Sequence, residues 1–214
     1  MNYEFENVYG LKVFYTKETH GGGIPIFPDF INVIKTLYPN KKFNNCLEWC
    51  AGPGFIGFAV LANNISSQIT LLESYQPALD LAQLTIKENN LDNIVTLCLS
   101  DNFKSVTNDS KFDLIVGNPP HYCTDVYAKH IKYWESTSKR IYYDKEWSTH
   151  FDFFRTVYSK LTDDGKILLV ENIRGSSEET FLDILKENNL RITNHFFSPS
   201  MPTNYWYLEI SKDS

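Results

Sequence analysis

The stretch CLEWCAGPGFIGFA, residues 46–59, decides the fold. It begins as a buried strand, turns through Cys-Ala-Gly-Pro-Gly and continues as an apolar helix, which is the repeating unit of doubly wound α/β sheets. Ligands of such sheets bind at the carboxyl ends of the strands, where this loop lies. Gly52 and Gly54 let a ligand approach the backbone because they carry no Cβ. Taken alone, the loop also fits a tight turn that binds nothing.

Apolar runs on both sides of this unit alternate with helical segments, and most of the runs lack polar alternation, as expected for parallel strands covered on both faces. The predicted strands are residues 11–16, 44–50, 68–73, 93–99, 112–117 and 166–171. The predicted helices are residues 28–38, 54–63, 76–89, 149–161 and 176–188. Ser176 and Glu179 have the spacing of a capping box for the last helix. Residues 162–165, Thr-Asp-Asp-Gly, are expected to form a turn before a strand.

The aromatic tail, residues 190–211, predicts two strands joined by a proline-containing turn. The whole pattern therefore predicts an α/β fold, with a doubly wound, mostly parallel, seven-stranded sheet and a C-terminal antiparallel hairpin. We expect one compact domain. In it, residues 44–214 form the main body and residues 1–43 cap the ligand site.

The composition excludes several classes of protein. Of the 214 residues, 43% are hydrophobic and 21% are charged, which excludes a disordered or collagen-like chain. Twenty basic against 26 acidic residues give a net charge of −6, which argues against a generally cationic nucleic-acid binder. No apolar run approaches the roughly 18 residues that span a bilayer, and the start MNYEFENVYG has no signal-peptide core. We expect a cytoplasmic protein with no membrane partner.

The four cysteines lack CxxC spacing, so buried free thiols are expected and no metal site is predicted.

Acidic residues follow the second and third strands of the predicted sheet. Glu73, with Ser74 beside it, ends a strand about 20 residues after the glycine loop, where an acid accepts hydrogen bonds from ribose hydroxyls. Asp101 follows the next strand, where it can bind an adenine amino group, with Asn102 and Phe103 flanking the adenine ring. The chain has no Gly-Lys-Ser/Thr loop, and the segment CAGPGF, residues 50–55, lacks the GxGxxG pattern. These features favour a nucleoside ligand without a diphosphate.

The segment FDLIVGNPPHY, residues 112–122, places Asn-Pro-Pro-His at the end of the fourth strand. Two prolines remove two backbone donors and stiffen the turn. The turn then offers only acceptors, the Asn118 side-chain oxygen and the Pro119 carbonyl, which suit the two hydrogens of an NH2 group. Such a site gains rate by aligning the nitrogen and stabilising the positive charge that develops on it. His121 and Tyr122 are placed to stack on a planar substrate.

With these motifs in this order, the chain resembles class I S-adenosylmethionine-dependent methyltransferases of the group that carries (Asn/Asp/Ser)-Pro-Pro-aromatic. It is similar to release-factor glutamine methyltransferases and adenine-N6 methyltransferases over roughly residues 28–210. The resemblance implies a Rossmann-like class I fold and S-adenosylmethionine as cofactor. It implies cofactor contacts at Glu48, Cys50, Ala51, Gly52, Gly54, Phe55, Glu73, Ser74, Asp101, Asn102, Phe103 and Asn118. It implies a catalytic motif of Asn118, Pro119, Pro120 and His121.

Two positions depart from the family pattern: Cys50 replaces the first glycine of the loop, and His121 replaces the usual aromatic residue.

The stretch between Tyr122 and Thr149 is expected to select the substrate, since loops at this rim carry specificity in α/β folds. Residues 129–145 hold five basic and two acidic residues, a local charge of +3, interleaved with aromatics. They can stack on a nucleotide or close over a small ligand as a lid, or they can form a helix that packs its aromatics inward. The predicted substrate contacts are His121, Tyr122, Tyr127, Tyr142 and Tyr143.

We therefore predict methylation of an amine or amide nitrogen on a small molecule or a protein side chain. Within the same chemistry, the alternatives are an adenine-N6 nucleic-acid methyltransferase and another alkyl transfer from S-adenosylmethionine, including intramolecular cyclisation. From other classes, the alternatives are a non-catalytic binding module and a nicotinamide oxidoreductase. The sequence leaves the oligomeric state open.

Overall fold

The computed structural model describes residues 3–124 and 139–213, and its centre is a seven-stranded sheet. The strands of this sheet are β3 (Phe43–Trp49), β4 (Ser66–Glu73), β5 (Val95–Leu99), β6 (Phe112–Gly117), β7 (Leu161–Asn172), β8 (Leu190–Phe197) and β9 (Tyr205–Lys212). They lie in the order β5-β4-β3-β6-β7-β9-β8. β9 pairs antiparallel with both β7 and β8, and the other pairs are parallel, so the predicted parallel sheet with a closing hairpin is confirmed.

Helices cover both faces of the sheet. They are α1 (Gly23–Leu37), α2 (Phe55–Ala62), α3 (Gln76–Asn89), α4 (Ser148–Val157) and α5 (Leu182–Glu187). Side chains of α1, α2 and α3 belong to one hydrophobic cluster, and side chains of α4 and α5 belong to another. Consecutive residues of β6 alternate between them: Leu114 and Val116 pack in the first cluster, and Ile115 packs in the second. This explains why the strands read as unbroken apolar runs.

An N-terminal hairpin lies outside the main sheet. It pairs β1 (Glu4–Val8) with β2 (Leu11–Tyr15), and the sequence had predicted only the second strand. The first strand was missed because four of its five residues are not buried, which leaves little hydrophobic pattern. The hairpin docks on α3, where Thr85 Oγ1 accepts a hydrogen bond of 3.0 Å from the Phe14 N–H.

Two local predictions are wrong. Residues 162–165 do not form a turn before the strand but belong to β7 itself. Phe112 pairs with Leu161 and Leu114 pairs with Lys166, so the extra residues of β7 form a bulge. The predicted capping box of Ser176 and Glu179 is shifted by one residue, to Ser177 and Thr180, and it caps a single 3-10 turn. The helix proper starts only at Leu182, so the predicted helix 176–188 is too long.

None of the helices that the structure describes is long and apolar enough to cross a bilayer.

Candidate active site

A cavity of about 230 Å³ opens at the carboxyl ends of β3, β4 and β6. The glycine loop, the strand-terminal acids and the Asn-Pro-Pro turn all reach it, as the topology of the sheet requires. The predicted residues that line it are Glu48, Cys50, Ala51, Gly52, Phe55, Glu73, Ser74, Asp101, Asn118, Pro120 and Tyr143. The structure thus brings most of the predicted cofactor contacts to one place.

Three residues of the glycine loop have left-handed backbone conformations, and Glu73 holds the loop in place. Cys50, Gly52 and Gly54 have φ values of +53°, +53° and +91°. The Glu73 carboxylate accepts hydrogen bonds of 2.8 Å from the Gly52 N–H and 2.9 Å from the Tyr75 N–H. Glu73 therefore ties the loop after β3 to the turn after β4 while it faces the cavity.

Glu48 lies at the base of the loop and caps α2. Its side chain is buried, and it accepts hydrogen bonds of 3.3 Å from the Ile56 N–H and 2.7 Å from the Gly57 N–H. Burial raises the pKa of Glu48 to about 8, although the two backbone donors act in the opposite direction. Gly57 is required there, because a Cβ would lie 2.8 Å from the Glu48 carboxylate.

Three predicted cofactor contacts are not at the cavity wall. Asn102 is buried with φ +49°, and its amide bonds the Trp49 indole N–H at 2.7 Å and the Thr149 carbonyl at 3.1 Å. Phe103 stacks on Phe153 at 5.5 Å in the core behind α4. Gly54 turns the chain where a Cβ would meet the Leu71 side chain at 2.7 Å. These three residues stabilise the structure around the cavity but do not line it.

A second cavity of about 240 Å³ lies on the other side of Asn118, which lines both cavities. Pro119, His121, Tyr122 and Tyr142 line this second cavity, so the predicted catalytic and substrate residues divide between the two. Tyr127 lies outside the described residues. The residues that line both cavities are Gly21, Asn118 and Ile141.

The Asn118 carboxamide has one satisfied end and one unsatisfied end. Its Nδ2 donates to the Gly21 carbonyl at 3.3 Å. Its Oδ1 is buried and has no hydrogen-bond partner among the residues that the structure describes. An unpaired buried acceptor costs about 1–3 kcal/mol, so Asn118 Oδ1 is a candidate contact for a hydrogen-bond donor.

Several lining residues were not predicted. Thr19, His20, Gly21 and Gly23 line the first cavity from the N-terminal segment, which the sequence had proposed only as a cap. The Arg140 guanidinium lies 3.4 Å from the centre of the Tyr75 ring.

Only weak features of the sequence indicate that these residues line the cavity. Gly21 belongs to a conspicuous triple-glycine run, and Tyr75 follows a strand end by two residues. Gly175 was also missed: a Cβ there would lie 1.7 Å from the His121 carbonyl oxygen, so the turn after β7 packs directly on the Asn-Pro-Pro-His turn.

A series of ionisable side chains, each close to the next, extends from His121 into the core. His121 Nδ1 lies 3.6 Å from Glu171 Oε2, and Glu171 Oε1 lies 3.0 Å from His150 Nε2. His150 Nδ1 lies 2.7 Å from Asp144 Oδ2. Burial alone would lower the pKa of His150, but the two carboxylates raise it to about 9. Burial likewise opposes the charged forms of Glu171 and Asp144, but the His150 cation holds the pKa of both carboxyls below their ordinary values.

No group of three or more described His, Cys, Asp or Glu side chains is arranged to hold a metal ion.

Comparison with known proteins finds similarity to methyltransferases. Residues 32–132 match the family model described as "Methyltransferase small domain". Ribosomal RNA small subunit methyltransferase C of Haemophilus influenzae is 35% identical over 83 residues, which are 39% of this chain and 24% of that protein. Release factor glutamine methyltransferase of Rhodopirellula baltica is 30% identical over 97 residues, 45% of this chain and 33% of that protein. The chain thus spans a quarter to a third of the length of these relatives.

Among solved structures, a 16S rRNA N2 methyltransferase of T. thermophilus, in complex with AdoMet and guanosine, has a TM-score of 0.64. It is 14% identical, and the match covers 99% of this chain and 50% of that one. The described chain has the Rossmann-like fold of the class I methyltransferases. The matched segment includes the glycine loop, Glu73, Asp101 and the Asn118 turn. The comparisons support S-adenosylmethionine as the cofactor.

Proposed function

We propose that this chain transfers a methyl group from S-adenosylmethionine to an amine or amide nitrogen. The first cavity is the proposed cofactor site, with Glu73 and the loop from Cys50 to Gly52 as its main contacts. The residues present fit a nucleoside: a carboxylate at a strand end, an exposed Asp101 beside it, and a loop whose Gly52 N–H is already paired with that carboxylate. When bound, S-adenosylmethionine supplies an electrophilic methyl carbon on a sulfonium.

The observation that carries this proposal is the unpartnered Asn118 Oδ1 between the two cavities. A carboxamide oxygen accepts hydrogen bonds, and the two prolines after it contribute no N–H to compete. The group that completes this site is therefore a donor, and an NH2 nitrogen has both the hydrogens to give and the lone pair to attack. Asn118 holds that nitrogen in place, so catalysis comes from alignment and from stabilising the charge that develops.

The acceptor is proposed to be a planar NH2 group on a small molecule or a protein side chain. The relatives are named for ribosomal RNA and for a release-factor glutamine, and both chemistries present such a nitrogen. The net charge of −6 favours the smaller acceptors over duplex nucleic acid. Residues 1–43 are proposed to cap the site, since Gly21 accepts from Asn118 and lines both cavities.

Calorimetry and product analysis test this proposal with the variant Asn118→Ala. S-adenosylmethionine should bind to the wild type and to N118A alike, because the first cavity keeps its other contacts. Methyl transfer to a panel of adenosine, guanosine and a glutamine-containing peptide, followed by mass spectrometry, should fall about 100-fold in N118A. Asn93→Ala is the matched control, since Asn93 is exposed at the opposite edge of the sheet.

Failure of the wild type to bind S-adenosylmethionine would contradict the proposal and favour a non-catalytic module. Binding of NAD in its place would favour an oxidoreductase.

A further inference from the structure

Glu171 is a buried carboxylate with a histidine on each side. It lies near the carboxyl end of β7 with no exposed surface, between His150 in the core and His121 at the second cavity. A carboxylate in this setting needs partners, because an unpaired buried charge is strongly destabilising. His150 and the Ser176 hydroxyl supply two of them, at 3.0 Å and 3.3 Å. The third group that faces it is the ring of His121.

Asp144 fixes the far end of this arrangement. Its carboxylate accepts from the Thr149 N–H at 2.8 Å and the His150 N–H at 3.1 Å, and it pairs with the His150 ring at 2.7 Å. The segment that carries it is joined to the Asn-Pro-Pro-His turn, because Asp144 N–H donates to the Tyr122 carbonyl at 2.9 Å. His150 is therefore held by both ring nitrogens and cannot turn away from Glu171.

Resting on the proposed function, we propose that His121 accepts the proton that the substrate nitrogen loses, and that Glu171, held by His150 and Asp144, is a positioning residue for its imidazole. His121 Nδ1 is buried and has no hydrogen-bond partner within 3.5 Å among the described residues, but Glu171 Oε2 lies 3.6 Å from it. Hydrogen bonds of this kind are commonly long before substrate binds and tighten in the complex. With Nδ1–H directed at the carboxylate, Nε2 is left as the proton acceptor for the cavity that His121 lines.

The proposed methyl transfer balances bonds and charge. The nitrogen–carbon bond forms as the sulfur–carbon bond of the sulfonium breaks, and the positive charge moves from sulfur to nitrogen. The methylated nitrogen then passes a proton to His121 Nε2, from which it leaves to solvent. The substrate class that this machinery serves is a nitrogen that carries at least one hydrogen and must lose it.

Several charged and polar groups surround the His121 ring. With His150 protonated, the two carboxylates and one cation leave a buried net charge of −1 next to His121. The other polar groups around the ring are Tyr205, at 5.6 Å between ring centres, Tyr122 at 6.5 Å, and Arg174 on the wall of the same cavity. Of these, Arg174 carries a charge, and it is exposed to solvent, which screens that charge.

The test that needs no substrate is 15N NMR of histidine-labelled protein, in which each ring nitrogen reports whether it carries hydrogen. His121 should appear as the Nδ1–H form with a bare Nε2, and its signals are assigned by their loss in His121→Phe. Glu171→Gln should remove this preference. Glu178→Gln is the matched control, since Glu178 pairs at 2.9 Å with the exposed His195 and should leave His121 unchanged.

An Nε2–H form in the wild type would overturn the proposal, and this measurement stands even if Glu171→Gln does not fold. An unchanged His121 signal in a folded Glu171→Gln variant would also overturn it.

The second arm measures the split between kcat and KM with an acceptor from the panel above. H121F keeps an aromatic ring in the cavity wall, so KM and S-adenosylmethionine affinity should hold while kcat falls about 100-fold. A wild type that binds no cofactor would refute the proposed function without touching the NMR result. Full kcat in H121F, with cofactor binding and transfer intact, would refute the role of His121 alone.

Discussion

Cys50 adopts a conformation that ordinarily belongs to glycine. At φ +53° its Cβ crowds the following carbonyl, and a residue other than glycine pays about 1–2 kcal/mol for this. The loop nevertheless keeps its shape, held by Glu73 through the Gly52 N–H. A cysteine at this position is therefore compatible with the shape of the glycine loop.

A β-branched residue at position 50 should expose this strain. Cys50→Val is expected to lower the free energy of unfolding by about 1–3 kcal/mol, because a branched Cβ fits the left-handed region worst. Cys50→Gly should stay within about 1 kcal/mol of the wild type, since relief of strain offsets the added freedom of the unfolded chain. Urea unfolding measures both. Cys98→Val is the control, because Cys98 lies in strand β5, where valine is well tolerated. Equal stability of the two valine variants would mean that position 50 is not strained.

Strand-terminal position could be predicted for the site residues, but side-chain direction could not. Glu73 and Asp101 were placed by counting from apolar runs, and both line the cavity. Asn102 follows Asp101 directly, yet its positive φ turns the side chain toward Trp49. Nothing in the local sequence distinguishes these directions, because the partner of Asn102 lies 53 residues away.

At the scale of elements, α1 is tied to the turn of the C-terminal hairpin by one buried acid. Asp29 accepts from the Ser198 hydroxyl at 2.6 Å and from the Ser200 N–H at 3.1 Å. These contacts span about 170 residues of sequence, so they fix the hairpin against the helix that begins at the cavity.

Asp29→Ala should therefore cost about 1–3 kcal/mol of unfolding free energy, the scale of leaving buried donors unpaired. Amide hydrogen exchange at Ser200 should quicken more than exchange in β6, since the turn loosens locally. Asp80→Ala, which removes an exposed acceptor of Gln76 on α3, is the control and should change stability by less than about 0.5 kcal/mol. A D29A protein as stable as D80A would show that the hairpin is held by apolar packing alone.

The elements themselves were predictable where the hydrophobic period was clear. Every strand of the main sheet was expected: the parallel strands form apolar runs, and the aromatic tail indicated the two strands of the closing hairpin. The errors fall where backbone geometry overrides composition. Residues 162–165 have turn chemistry but are absorbed as a bulge beside Phe112, and a 3-10 turn takes up the first residues of the expected last helix.

At the scale of the whole molecule, the chain of charges from Asp144 to His121 could not be predicted. Its members come from a loop, α4, β7 and the Asn-Pro-Pro-His turn, and they meet only when the sheet is assembled. One signal existed: Glu171 is an acid near the carboxyl end of a strand, like Glu73. The strand-terminal position that indicates Glu73 also indicates Glu171, near the end of β7 behind His121.

The same charges set the pH range in which the molecule is most stable. The pKa of His150 is raised from 6.5 to about 9, so its contribution is complete below pH 6.5 and is lost as the pH rises through 9. Glu48, with its pKa raised from 4.5 to about 8, acts in the same direction. The lowered pKa values of Asp144 and Glu171 give stability that is present above their ordinary values, 3.8 and 4.5, and is lost on acidification. Stability should therefore be highest near pH 4.5, should fall above it as Glu48 is forced to ionise, and should fall more steeply above pH 6.5, where His150 also begins to lose its proton.

His150→Gln separates this cluster from the rest of the protein. At pH 6 it leaves two buried carboxylates without their cation, and the free energy of unfolding should fall by about 3–5 kcal/mol. Its deficit relative to the wild type should shrink toward pH 4, because the orphaned carboxylates can then take up protons. The deficit should also shrink toward pH 9.5, where the wild type loses the His150 charge. Urea unfolding at the three pH values measures this. His195→Gln, at an exposed pair, should follow the wild type throughout. A deficit that is constant with pH would mean that His150 stabilises the fold through ring packing on Phe181 and not through its charge.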